Sequence, residues 1–142
     1  MLCGNRDGRR GQAVTEFALV LPLSLVLILG LVVFGIALTR LESVENAASE
    51  GGRAAQRWRP FGGETCIQAV NNAVARSTPF ATSVLITGAC PNDTTTRIPA
   101  RSLITVQVSY TYHPIFFGTL FKDIWEPPST WILDAEVTVM HE

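Results

Sequence analysis

From Phe17 to Thr39 the chain carries 23 consecutive residues without a charge. As an α-helix this run would extend about 34 Å at about 1.5 Å per residue. A bilayer hydrocarbon core is about 30 Å thick. The run is therefore long enough to span a membrane with slight tilt. The chain has 142 residues, so setting this segment aside leaves roughly 100 for everything else. That is enough for one small core, marginal without help from a partner or a disulfide. The length thus allows one membrane segment and one small domain outside it.

Charge gives the segment a direction. Arg6, Arg9 and Arg10 against Asp7 give the first eleven residues a net charge of +2. Positive flanks stay on the cytoplasmic side, which predicts the N-terminus inside and the C-terminal domain outside. The overall net charge is −1, a balance that gives no support to a nucleic-acid partner. The topology then sorts the cysteines. Cys3 would lie in the reducing cytosol, and Cys66 and Cys90 outside, where disulfides persist. A Cys66–Cys90 bond would close a loop of about 25 residues and contribute roughly 3 kcal/mol. Two buried free thiols are the alternative; compartment and pairing favour the bond. With neither a CxxC nor an HExxH pattern present, no zinc site is expected.

Residues 1–11 are polar and glycine-rich and read as a disordered leader. Within the apolar run, Pro22 cannot donate to the Ala18 carbonyl, which predicts a local kink. Spanning helices tolerate this because neighbouring groups can re-satisfy the freed carbonyl. Gly30 and Gly35 offer small faces for another helix. Beyond the run, Leu41, Val44, Ala48, Ala55 and Trp58 recur at helical spacing with Glu42, Glu45 and Glu50 between them. Gly51-Gly52 interrupts this stretch and reads as a hinge. The stop signal is Arg59-Pro60-Phe61-Gly62-Gly63. One helix, or two stacked pieces, is expected from about residue 12 to about 58, apolar all round at first and amphipathic afterwards.

A short helix is expected over 64–76, with Cys66, Ala69, Val70, Ala73 and Val74 on one face. Ser83–Ala89 is a β-branched run, and residues 90–96 read as a loop. The clearest strand is Ser102–Tyr112, where Ile104, Val106 and Val108 alternate with Thr105, Gln107 and Ser109. A last strand covers Trp131–Met140, with Leu133, Ala135, Val137 and Val139 facing one way. Between these two strands lies an irregular aromatic segment with Phe116, Phe117, Phe121 and Trp125. It reads as a satellite core under a loop, with a subunit-binding surface as the alternative. The fold class is α+β: a long N-terminal transmembrane helix continues as an amphipathic stalk and covers a small antiparallel sheet.

The acid at the lip of the run carries the functional signal. Glu16 precedes the uncharged residues directly, at a position a simple anchor does not need, since a charge in lipid is costly. Gly11 lies five residues upstream. A cut after Gly11 would give Gln12 a new α-amine, and positions i and i+4 of a helix share a face. The carboxylate also suits the positive end of the helix dipole. It could pair with its own amine or with that of a neighbouring chain, and the second option would make it an assembly register.

Gly11, four residues, then Glu16-Phe17 resembles the processing site of type IV pilins and pseudopilins. The longer string from Arg10 through Gly11, Gln12, Glu16, Phe17 and Pro22 to Leu23 more specifically resembles the TadE-like family of minor pseudopilins in tight-adherence (Flp) pilus systems, whose larger relatives are TadG-like. The resemblance is strong over about residues 9–40 and only architectural beyond. It implies a leader at 1–11 removed by a prepilin peptidase, a transmembrane helix at 12–40, and an exported pilin-like domain at 41–142. It also implies no enzymatic activity and no cofactor. The implied partners are the major pilin, other pseudopilins, the inner-membrane assembly platform and the lipid bilayer. Loss of three arginines and one aspartate with the leader would take the net charge from −1 to −3. The competing reading is an uncleaved single-pass membrane-anchored binding module of the cell envelope.

Other constellations are weaker. His113 and His141 lack an accompanying nucleophile set. Asp134 and Glu136 read as a solvated strand face. Asn92-Asp93-Thr94 matches a glycosylation acceptor but reads first as a turn.

Overall fold

The computed structural model describes residues 7–80, 82–113 and 130–141, with side chains from Gln12 onward. The elements are α1 (Asp7–Arg57), α2 (Cys66–Ser77), β1 (Ser83–Gly88), β2 (Leu103–Tyr112) and β3 (Trp131–Met140). The class is α+β, as the sequence predicts. The aromatic segment with Phe116, Phe117, Phe121 and Trp125 lies outside the described residues.

The chain divides into two units, Met1–Ile36 and Ala37–Glu142. In the first, the described residues form a single helix that runs through Pro22. It starts at Asp7, earlier than the polar leader suggested. Extending an existing helix adds a hydrogen bond per residue without a new nucleation cost, and Arg9, Arg10 and Gln12 are good helix formers. Their propensity offsets Gly8 and Gly11.

Among the described residues of the second unit, one hydrophobic core forms. The C-terminal half of α1 contributes Val44, Ala47, Ala48, Ala55 and Trp58; α2 contributes Cys66, Val70 and Val74; β2 contributes Ile104, Val106 and Val108. The three strands form an antiparallel meander in the order β1-β2-β3. Val106 lies opposite Ile86 on one side and Val137 on the other. The alternation read from Ser102–Tyr112 is the alternation observed: Ile104, Val106 and Val108 are fully buried, while Leu103 is exposed. β3 keeps the same rule, with Ala135, Val137 and Val139 packed on the core and Asp134 and Glu136 in solvent.

Gly51-Gly52 is a packing contact, not a hinge. The helix continues through both residues. A Cβ on Gly51 would meet Val74 Cγ2 at 3.0 Å, Val106 Cγ1 at 3.1 Å and Val70 Cγ1 at 3.3 Å. A Cβ on Gly52 would meet Val139 Cγ1 at 3.0 Å and Val137 Cγ1 at 3.1 Å. Two glycines in a helix interior each cost about 1 kcal/mol against alanine. Here they let the backbone of α1 lie directly on α2, β2 and β3.

Local devices fix the connections. Thr65 and Gln68 form a capping box at the start of α2, with Gln68 N donating to Thr65 Oγ1 at 3.2 Å and Thr65 N donating to Gln68 Oε1 at 3.0 Å. The Trp58 indole donates to the Glu64 carbonyl at 3.0 Å, closing the loop after α1. Gly88 ends β1 at φ +102, where any side chain would run into the Leu103 carbonyl. Arg40, the first charge after the apolar run, stacks its guanidinium 4.7 Å from the centre of the Phe80 ring. Phe80 in turn packs on Tyr110, with ring centroids 4.3 Å apart.

Candidate processing site at the mouth of the apolar helix

Helix periodicity brings Gln12 and Glu16 together. They stand one turn apart on α1, and the Gln12 side-chain amide donates to Glu16 Oε1 at 3.3 Å. Thr15 Oγ1 donates back to the Gln12 carbonyl at 2.8 Å, so its hydroxyl is occupied within the same turn. Gly11 precedes this turn inside the helix, and Phe17 follows it, 66% exposed. The carboxylate of Glu16 is therefore solvent-facing and already engaged by the residue that a cut after Gly11 would make terminal.

Beyond Glu16 the surface turns apolar. Leu19, Leu23, Leu27, Ile28 and Leu31 are all more than 60% exposed. Among the described residues, the stretch from Gln12 is the one helix long and apolar enough to cross a membrane. Leaving so much apolar surface uncovered is unfavourable in water and favourable in lipid. A single N-terminal helix of this kind suggests a membrane anchor. Ser24 returns its hydroxyl to the Leu21 carbonyl at 2.9 Å, which is how a lone hydroxyl is satisfied in such a helix.

In the second unit Cys66 and Cys90 are disulfide-bonded, with Cα atoms 5.6 Å apart. The bond ties the first residue of α2 to the segment just after β1. The turn reading of Asn92-Asp93-Thr94 acquires a specific anchor. Asp93 accepts from Thr96 Oγ1 at 2.6 Å and from the backbone N–H groups of Thr96 and Thr95 at 2.5 and 2.9 Å. The Thr96 hydroxyl, then the two backbone donors, hold its carboxyl down at about 2 from an ordinary 3.8. His113 is exposed, whereas His141 is buried and reaches the Trp58 carbonyl with Nε2 at 3.3 Å. Sequence reasoning did not find this role. Its only trace was a histidine directly after an alternating strand. Among the described residues no cluster of His, Cys, Asp and Glu could hold a metal ion.

An apolar helix with a carboxylate at its mouth, followed by a small disulfide-bonded α+β unit, is the layout of a chain with one candidate membrane anchor. Residues 11–53 match the family model described as TadE-like protein. The match begins at Gly11 and ends within α1, so α2 and the sheet lie outside it. No curated protein and no solved structure matches the chain. That match suggests a role related to the tight-adherence pilus, and the TadE-like family is not known as enzymatic.

Proposed function

We propose that this chain is a minor pseudopilin for assembly of a tight-adherence (Flp) pilus or a related secretion machine. A prepilin peptidase cuts after Gly11, leaving Gln12 as the N-terminus of a helix that stays in the inner membrane. The domain at 41–142 then faces the periplasm or the exterior. Its partners are the major pilin, sister pseudopilins and the inner-membrane assembly platform. The observation that carries this reading is the Gln12–Glu16 pair. A carboxylate one turn from Gln12, the residue the cut would make terminal, at the lip of an otherwise uncharged run, is placed to meet a terminal amine. The family match starting at Gly11 supports the same boundary.

In assembly Glu16 acts as a register. A charge at the edge of lipid is most stable with a partner, and a partner chain's N-terminal amine supplies one at a defined axial offset. Mass spectrometry of the membrane-extracted protein tests the processing step. The expected N-terminus is Gln12 in the wild type and Met1 in Gly11→Ala. A wild-type chain that starts at Met1, or beyond residue 35, refutes the proposal and in the first case leaves an uncleaved anchored binding module. Glu16→Ala should insert normally and assemble poorly; normal pilus numbers in that variant would remove the register role.

A further inference from the structure

We infer that Gln12 is a self-modification site: once the chain is cut after Gly11, the new α-amine closes onto its own side-chain amide, and Glu16 carries the proton. This rests on the processing reading above. The neutral α-amine attacks Cδ of Gln12. An N–Cδ bond forms, the Cδ–Nε2 bond breaks, and ammonia leaves. The product is a five-membered lactam at the N-terminus. Nothing is oxidised or reduced, and no co-reactant is needed. A free α-amine is in part neutral near neutral pH, so the nucleophile exists without activation.

The remaining requirement is proton transfer. The attacking nitrogen must lose a proton and the departing Nε2 must gain one. Glu16 Oε1 lies 3.3 Å from that same Nε2 and accepts its hydrogen bond. The carboxylate therefore sits on the leaving group before reaction. After the cut it stands one helical turn from the α-amine as well. Both side chains are exposed, so Gln12 can fold back by rotation about its own single bonds. General acid–base assistance by a positioned carboxylate is typically worth roughly 100-fold or more.

Closure changes what Glu16 can bind. The lactam nitrogen carries no charge, so the α-ammonium is lost. The next basic residue along the chain is Arg40, at the far end of the apolar run. A closed chain cannot neutralise Glu16 from its own N-terminus and depends on a cation from a neighbouring chain. The open and closed forms thus make different demands on a partner at the same position.

The test is mass analysis of the N-terminal peptide from detergent-extracted protein, before and after incubation at neutral pH. The expected peptide starts at Gln12, is lighter by one ammonia, and is blocked to sequential N-terminal degradation. Gln12→Ala should show no such loss. Glu16→Ala should close at least about tenfold more slowly. A peptide that starts at Gln12 and keeps its full mass after incubation overturns closure and leaves processing standing. A chain that still starts at Met1 overturns processing, and closure with it. Equal closure rates in wild type and Glu16→Ala overturn the part given to the carboxylate.

Discussion

Replacing Gly51 with alanine should destabilise the domain, although the same change in an exposed helix stabilises it. Removing a helical glycine ordinarily gains about 1 kcal/mol. At position 51 the added methyl would sit 3.0, 3.1 and 3.3 Å from methyls of Val74, Val106 and Val70. All three valines are fully buried or nearly so. They are branched at Cβ and stiff about χ1, so they cannot swing aside. Overpacking of a filled core costs about 1–3 kcal/mol. Net of the propensity gain, Gly51→Ala should cost up to about 2 kcal/mol. For a domain of this size each kcal/mol lowers the melting temperature by roughly 4–8 °C. Gly52→Ala meets two methyls rather than three, those of Val137 and Val139, and both valines are only partly buried. Its net cost should be below about 1 kcal/mol. Thermal unfolding of the detergent-solubilised chain, with the disulfide intact, reads both values. Gly51→Ala combined with Val106→Ala should be more stable than the sum of the two single changes, because the new methyl fills the space the valine leaves. A rise in melting temperature for Gly51→Ala would refute the packing argument.

Removing the disulfide by Cys66→Ala with Cys90→Ala should cost roughly 3 kcal/mol, seen as a lower denaturant midpoint; an unchanged midpoint would show that the bond constrains nothing in the unfolded chain. Asp93 should titrate near 2 when followed by NMR through the Thr95 and Thr96 amides. Its folded value lies below the ordinary 3.8, so the contribution of its carboxylate to loop order is complete above about pH 4 and is lost as pH falls through about 2. A midpoint at or above 3.8 would mean that the Thr96 bonds do not form in solution.

The features legible in the sequence are those encoded in periodicity. Ile104, Val106 and Val108 announce a half-buried strand by alternating with polar neighbours, and Val44, Ala48 and Ala55 announce a helix face by their spacing. The pairing of Cys66 with Cys90 is legible because they are the two cysteines that follow the apolar run. The start of α2 was also readable, since Thr65 and Gln68 have capping-box spacing, though only the helix itself was inferred. Gly51-Gly52 misled for a physical reason. Local sequence reports the flexibility of glycine, whereas here its use is the absence of a side chain, which appears only when α2, β2 and β3 are brought against it. His141 and Asp93 were hidden in the same way. Their partners, Trp58 on one side and Thr95 and Thr96 on the other, are set by a tertiary contact and by a turn geometry. Of the site, Gly11, Gln12, Glu16 and Phe17 were selected by residue type and offset, and the hydrogen bond between Gln12 and Glu16 needed coordinates.

The Cys66–Cys90 bond also has a mechanical consequence. It encloses all of α2 and β1 in a covalent loop with a sequence separation of 24. If the chain is pulled from its two ends, force passes across the sulfur bridge and bypasses both elements. A freely extending segment of that length would add about 80 Å to the stretched chain. With the bond intact that length is never released, and the covalent path of the force bypasses α2 and β1.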